Sequence, residues 1–403
     1  MEPAGSSSGS GDGSGRMRRA AGKLEVVNSN LCEEAVVGFE YGVAIEDPFT
    51  LPIWEAQFGD FFNNCQTIID AYIASGETKW GQQNGLVLLL PHGFDGGGPD
   101  HSSSRIERHL QLSNDPVGGF ARAAPNLYVA YPSTPAQFFH LLRRQMKRNF
   151  RKPLVVAGPK TLLRLADATS SLHDMGPGTR FQPVLDDPTT ARDPLAVKRV
   201  MLVSGKVYYE LERARGGHPL GSHVAIVRLE ELSPFPQREL YAVLAQYANA
   251  TDFVWVQEEP RNAGAYAFTA PRIQRLLPGI AELRYVGRCE HATVCSGVET
   301  QQAAEQAQLV REAFEGLRGL VADLVINPIS LQHQHQRKSA AASATQQPQK
   351  QLDPQQQQQP QQQTQQLKRA LENQGAAATV LPASVSHRWS SRPLYAAAHS
   401  SEH

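Results

Sequence analysis

The sequence predicts an α/β fold: two successive doubly wound domains, each built on a mainly parallel sheet, with a disordered tail at either end. Segments with helical spacing of apolar residues alternate with short apolar runs from Glu33 to Leu317. The run from Leu86 to Leu90 is apolar throughout, which is typical of a strand covered on both faces. The alternation breaks once, over residues 160–198, which are rich in Asp, Pro and Gly. We therefore predict a first domain over 23–159, a linker over 160–198 and a second domain over 199–325.

The two ends of the chain have low-complexity compositions. Residues 1–22 are dominated by Gly and Ser, and 14 of the 21 residues from Gln346 to Gln366 are Gln. Neither segment can bury much apolar area, so we expect 1–22 and 326–403 to be disordered.

The elements of the first domain follow from local pattern. Residues 33–45 show helical spacing, and residues 135–148 begin with Pro and end in basic residues, as helices do. The predicted elements are, in order, helix 33–45, strand 49–54, helix 61–73, strand 86–90, strand 127–130, helix 135–148 and strand 154–157.

The second domain repeats the alternation more regularly. Its apolar runs and helical segments follow one another without a gap, which favours a parallel sheet. The predicted elements are strand 199–204, helix 206–215, strand 223–228, helix 237–247, strand 253–257, helix 263–277, strand 283–285 and helix 300–317.

Composition excludes several function classes. The chain has 39 basic and 39 acidic residues, which argues against a general nucleic-acid binder. No apolar run approaches the roughly 18 residues of a membrane span. Four cysteines are too few for a disulfide framework, and no histidine spacing near Cys289 and Cys295 suggests a metal site. A reducing compartment is expected.

The segment after the strand at 86–90 is the first candidate site. His92 and His101 lie nine residues apart in a connection that contains Gly96, Gly97 and Gly98. Ligands of open α/β sheets bind beyond the carboxyl ends of strands, and glycines allow a close backbone approach. The alternative is an irregular connection with histidines as polar filler. A phosphate loop is excluded because its Lys and spacing are absent.

Two further segments carry possible function. Glu33 and Glu34 open a helix, where acidic residues are also ordinary partners of the helix dipole. Residues 54–63 are dense in aromatic side chains, which are usual in a core but could also form a stacking platform for a flat ring.

Long, collinear motifs closely resemble one family, the E1 component of the 2-oxoglutarate dehydrogenase complex and its 2-oxoadipate-type relative, with a slight preference for the latter. The resemblance runs from about Lys23 to Phe314. Its motifs are VVGFEYGVAIEDP, LPIWEAQFGDFFNN, GLVLLLPHGFDGGGPDHSSSRIERHLQL, STPAQFFHLLRRQM, FRKPLVVAGPKTLLR, SGKVYYEL, RLEELSPFP and VWVQEEPRNAGAY.

The resemblance implies a transketolase-like pyrimidine-binding domain over 23–159, a carboxy-terminal E1 domain over 199–325, and thiamine diphosphate as cofactor. Glu33 would hydrogen-bond the aminopyrimidine, and His101 would face the substrate, with His92 as a less certain catalytic neighbour. The implied cofactor-binding residues are Glu33, Gln57, Phe58 and Phe61. Cys32 stands where the family has Ser, which puts in doubt only a hydroxyl cap on the helix.

The same resemblance implies partners and a reaction. The family's diphosphate and Mg²⁺ are held by a separate domain, so we expect this chain to supply the pyrimidine half and no metal ligand. The expected partners are a diphosphate-binding E1 domain or a full-length E1 in a dimer, and the lipoyl E2. The expected reaction is oxidative decarboxylation of a 2-oxo dicarboxylic acid, as in the tricarboxylic acid cycle or lysine degradation.

The family also implies the mitochondrial matrix for a eukaryotic chain. Residues 1–22 carry only a weak targeting signal, since Glu2 and Asp12 offset the arginines. A non-catalytic partner or regulatory module derived from this E1 stays open as the alternative function. Transketolases and pyruvate-type E1β subunits share the expected fold but not the WEAQFGDF and GPDHSS strings.

Overall fold

The computed structural model describes residues 22–118, 124–279 and 281–326. The predicted tails therefore lie outside the described residues, apart from Gly22 and Ile326. No helix in these three ranges is long and apolar enough to cross a membrane.

Helices and strands mostly alternate along the described residues. In chain order they are α1 (Glu33–Glu46), β1 (Ile53–Glu55), α2 (Gln66–Ile68), α3 (Gly76–Trp80), β2 (Val87–Pro91), α4 (Ile106–Gln111), β3 (Tyr128–Ala130), α5 (Pro135–Lys147), β4 (Leu154–Gly158), β5 (Val184–Leu185), β6 (Arg199–Val203), α6 (Val207–Gly216), β7 (Val224–Leu229), β8 (Glu231–Ser233), α7 (Gln237–Leu244), β9 (Asp252–Pro260), α8 (Tyr266–Gln274), β10 (Leu283–Arg288), α9 (Glu299–Phe314) and α10 (Leu317–Ile326).

The strands form two five-stranded, mainly parallel sheets, which confirms the predicted α/β class. The first sheet has the order β1-β2-β4-β3-β8, and the second has the order β10-β9-β6-β7-β5. All pairs are parallel except β3 with β8 and β5 with β7, which are antiparallel edge pairs. In the first sheet Leu88 lies between Trp54 and Val155.

Both antiparallel edge strands come from segments in which the sequence showed no strand. Strand β8 follows β7 directly in the chain, yet it pairs with β3 of the first sheet. Strand β5 lies inside the predicted linker and pairs with β7. Strands of two or three residues are too short to carry a readable period, so only the pairing in the folded chain defines them.

The region around residues 49–73 differs from the prediction. The expected strand over 49–54 is reduced to β1, and Phe49 is exposed. The expected single helix over 61–73 is a 3₁₀ segment (Gly59–Cys65), then α2, then a π segment (Ile69–Ile73). Its buried apolar residues lie three positions apart in the 3₁₀ segment and four positions apart after it. The tight 3₁₀ turn followed by the wider α and π turns keeps all of them on one face of the segment. These residues are Phe62, Cys65, Ile69 and Ile73.

One cluster of buried apolar side chains runs through both sheets. It includes Leu88 and Val155 of the first sheet and Leu202, Val227 and Trp255 of the second. Burial of these side chains stabilises each sheet and fixes the two against each other. The connections at the carboxyl ends of the strands are thereby held in defined positions.

Candidate functional site

The connections that follow β1 and β2 lie in direct contact. The Ala56 N–H donates to the Leu89 carbonyl at 3.0 Å. A Cβ at Gly59 would overlap the Pro91 carbonyl and lie 2.7 Å from the Ser104 Cβ. Only glycine lets the two connections come this close.

Three aromatic rings meet where these connections touch. The ring centroids of Phe58 and His101 are 4.3 Å apart with an interplanar angle of 86°. Phe61 lies 5.9 Å from Phe58 and 5.8 Å from His101. The two phenyl rings are half-buried and His101 is exposed. The structure thus brings together three of the residues that the sequence singled out.

Lys160 joins this ring cluster, although the sequence placed it in the linker. Its Nζ lies 4.6 Å from the Phe58 ring centroid and donates to the Gln57 carbonyl. Gln57 itself is exposed. Lys160 comes two residues after β4, the neighbour of β2. Its position beyond the carboxyl end of an adjacent strand was the signal that could have identified it.

Glu33 is the first residue of α1 and is half-buried. Asn64, in the 3₁₀ segment that carries Phe61, donates from Nδ2 to the Glu33 Oε2 at 3.3 Å. Glu34 and Cys32 are exposed, and the Cys32 side chain makes no capping hydrogen bond. The helix therefore begins without the hydroxyl cap that was in doubt, and its first carboxylate is held by Asn64 instead.

His92 is buried and lies in a different environment from His101. Its Nδ1 accepts the backbone N–H of Ser104 at 3.1 Å, so the ring carries its proton on Nε2. That Nε2 donates to the Glu259 Oε1 at 2.7 Å. Burial alone would raise the pKa of the Glu259 carboxyl, but the hydrogen bond from His92, a backbone N–H and the positive charge nearby together outweigh burial and lower it. The structure does not bring His92 to the ring cluster.

A buried ammonium group lies next to this pair. Lys206 Nζ is 2.7 Å from Glu258 Oε1, 3.3 Å from Asp95 Oδ1 and 3.3 Å from Glu210 Oε1. Burial alone would lower the pKa of Lys206, but the three carboxylates outweigh burial and raise it. The lysine therefore stays charged and links elements of both sheets.

Asp60 is a further residue that the sequence analysis did not single out. It is buried, and its Oδ2 accepts the Ser103 N–H at 3.1 Å. Its Oδ1 has no hydrogen-bond partner among the described residues. Burial raises the pKa of this carboxyl. Asp60 thus joins the turn after β1 to the connection that carries His101.

The arrangement offers a surface for a flat, electron-poor ring and groups for proton transfer. Phenyl faces can stack on such a ring, and an exposed imidazole can donate or accept a hydrogen bond. A carboxylate at a helix start can share a proton with a ring nitrogen. Within the described ranges, no group of three or more His, Cys, Asp or Glu residues could hold a metal ion.

Two protein-family models match the chain and together span both sheets. The model of the transketolase pyrimidine binding domain matches residues 5–166. The model of the 2-oxoglutarate dehydrogenase C-terminal domain matches residues 169–314. The ring cluster, Glu33 and His92 lie within the first match, and Glu259 and Lys206 lie within the second.

Curated relatives are similar over the same region. The chain is 49% identical over 300 residues to a probable 2-oxoadipate dehydrogenase complex component E1 homolog of Dictyostelium discoideum. It is 50% and 49% identical over 294 residues to the 2-oxoadipate dehydrogenase complex component E1 of Danio rerio and of Homo sapiens. These alignments cover 73% of this chain and 32–33% of each relative. The chain thus spans about a third of the length of the curated relatives that it matches.

Proposed function

The chain belongs to the 2-oxoglutarate/2-oxoadipate dehydrogenase E1 family, and from this premise we propose that it supplies the pyrimidine side of a thiamine diphosphate-dependent 2-oxo acid dehydrogenase site. In this proposal Glu33, Phe58, Phe61 and His101 act in the site. A diphosphate-binding E1 segment, on this or another chain, completes it.

The observation that carries the proposal is the ring cluster. Phe58, Phe61 and His101 come from two separate connections, and they meet at the carboxyl ends of neighbouring parallel strands. The rings are accessible, whereas most aromatic side chains at such positions pack into the core. Half-exposed phenyl faces beside an exposed imidazole fit a bound aromatic ligand.

The residues present fit the pyrimidine end of the cofactor. Phe58 and Phe61 would stack against the aminopyrimidine, and the exposed Gln57 would lie at its edge. Among the described residues, only Asn64 hydrogen-bonds the Glu33 side chain, and it does so at Oε2. The other carboxylate oxygen, Oε1, is therefore free to share a proton with a ring nitrogen. When bound, the cofactor supplies the electron sink for decarboxylation. His101 would donate a hydrogen bond or a proton to the substrate oxygen that gains charge.

We further propose a 2-oxo dicarboxylic acid as the substrate, with 2-oxoadipate preferred to 2-oxoglutarate. The support is the similarity to relatives that are 2-oxoadipate dehydrogenase complex components. A lipoyl E2 would accept the acyl group, because the relatives are components of a complex.

The test is reconstitution of the full chain with a separately produced diphosphate-binding segment of a curated relative. Decarboxylation of 2-oxoadipate and 2-oxoglutarate is measured with thiamine diphosphate, Mg²⁺ and an artificial electron acceptor. We expect turnover from the mixture, a higher kcat/KM for 2-oxoadipate, and a loss of at least about 10²-fold in His101→Ala. His173→Ala, which changes an exposed histidine far along the chain, is the matched control.

Two outcomes would contradict the proposal. A His101→Ala chain that restores full turnover would remove His101 from the site. A wild-type chain that binds the segment but never yields turnover would favour the non-catalytic partner.

A further inference from the structure

In the second sheet, a ligand would be expected beside the carboxyl ends of β6 and β9. From β6 the chain moves to β7 on one side, and it then returns to β9 on the other side of β6. In open α/β sheets, ligands bind in the crevice where the strand order changes direction in this way. Lys206 follows β6, and Glu258 and Glu259 lie in the last part of β9.

In this protein a segment of the first domain fills that crevice. The segment is the connection after β2, residues 92–105, which we name the His101 loop. Asp95 of this loop lies 3.3 Å from the Lys206 Nζ. A Cβ at Gly93 would lie 3.3 Å from the Lys206 Cε and 2.5 Å from the Pro159 Cβ, so the loop backbone is packed closely there.

The His92 ring connects the two ends of the His101 loop to the second sheet. Its Nδ1 accepts the Ser104 N–H at the far end of the loop, and its Nε2–H donates to Glu259. The Gly93 N–H donates to the Ser102 carbonyl at 2.9 Å and closes the loop just beyond His101. His92 is 2% exposed and Glu259 is 7% exposed, so water competes little for these hydrogen bonds.

We infer that Glu259 is a positioning residue of the first domain's site: by accepting the Nε2–H of His92 it fixes that ring, and the ring holds the His101 loop so that His101 lies against Phe58. His92 is then a positioning residue as well, and the second domain places a side chain of the first. That this positioning serves catalysis rests on the proposed function, whereas the positioning of His101 by Glu259 and His92 does not.

The test uses the full chain labelled with ¹⁵N and ¹³C in its histidine rings. Nuclear magnetic resonance reports the tautomer of His92 and the ring-current shift that Phe58 imposes on His101. His92→Gln and His101→Gln assign the two sets of signals. The variants compared are Glu259→Leu, which removes the acceptor, and Glu259→Gln, which keeps an oxygen that can accept. Glu290→Gln is the control, because Glu290 is exposed and its ion pair with Arg261 at 3.6 Å is exposed as well.

We expect wild type, Glu259→Gln and Glu290→Gln to show the Nε2–H tautomer of His92 and a shifted His101. In Glu259→Leu, the His92 tautomer should no longer be fixed and His101 should lose most of its shift. Rescue by Gln separates positioning from a loss of global stability, which thermal unfolding of each variant measures. If Glu259→Leu fails to fold, Asp95→Ala provides the second variant, since its side chain reaches Lys206 from the outer part of the loop.

An unmoved His101 signal in every variant that folds would overturn the inference. A Glu259→Gln chain whose His101 moves as far as in Glu259→Leu would also overturn it, because the acceptor oxygen would then be irrelevant. These signals require no turnover, so an inactive reconstituted enzyme with the expected shifts would refute the proposed function and still support the inference.

Discussion

Glu33 provides a residue-scale prediction because it has an adjacent matched control. Glu33→Gln in the reconstituted enzyme should lower turnover by at least about 10²-fold, as expected for a group that transfers protons. Folding should change little, since a charge in the first turn of a helix contributes only about 0.3–1 kcal/mol. The measurement is kcat together with the thermal midpoint. Exposed Glu34→Gln should leave turnover near normal, and equal losses in the two variants would contradict the assignment.

His109 makes the stability of the chain depend on pH. Its buried ring packs 4.7 Å from the Phe62 ring, and burial lowers its pKa to about 4. In the unfolded chain a histidine titrates near 6.5, so the unfolded state binds the proton first as pH falls. The stabilisation is complete above about pH 6.5 and declines by on the order of 3 kcal/mol as pH falls towards 4.

The measurement is chemical denaturation at several pH values between 4 and 7. His109→Phe keeps a ring against Phe62 and should remove most of this decline, whereas exposed His173→Gln should keep it. A decline of the same size in His109→Phe would assign the pH dependence to other groups.

At the scale of elements, Gly205 couples the turn after β6 to the first sheet. Its φ is +78°, and an added Cβ would overlap the ring of Tyr131, which follows β3. Tyr131 in turn donates from its hydroxyl to the His92 carbonyl at 3.0 Å. Gly205→Ala should therefore destabilise the chain by the roughly 1–2 kcal/mol of a left-handed residue plus about 1–3 kcal/mol of overpacking.

Gly178→Ala is the matched control, because Gly178 has a φ of +87° and nothing within 4 Å of an added Cβ. Gly178→Ala should lower the free energy of unfolding only by the cost of a left-handed alanine, without overpacking. Denaturant titration of both variants measures the difference. Equal destabilisation of the two variants would mean that the Tyr131 ring moves aside freely.

At the scale of the whole molecule, the chain should bind thiamine diphosphate weakly and independently of Mg²⁺. The described residues offer an aromatic surface and a carboxylate but no group that could hold the metal beside two phosphates. Calorimetric titration of the full chain with the cofactor, with and without Mg²⁺, measures this. Addition of the diphosphate-binding segment should create the metal dependence. Tight, Mg²⁺-dependent binding by the chain alone would reveal a diphosphate site elsewhere in it.

The sequence by itself determined the fold class, the family and the identity of the candidate residues. The apolar run Leu86–Leu90 and the helical spacing after Glu33 are local patterns. The motifs around Phe58 and His101 are contiguous in the sequence. Both kinds of signal can therefore be recognised without knowledge of the folded chain. The bounds of α1, α5, β2, β4 and β6 agree with these patterns to within one or two residues, whereas β9 ends three residues beyond the predicted strand.

Only the tertiary structure decided which of these residues meet and what holds them. The edge strands β5 and β8 are defined by partners far away in the chain, and the 3₁₀ and π turns near Phe62 by packing of one buried face. The environments of His92 and His101 differ because the His92 ring contacts Glu259, 167 residues further on, while the His101 ring is exposed beside Phe58. Pairings over such distances depend on how two sheets share a core, which no local pattern in the sequence encodes.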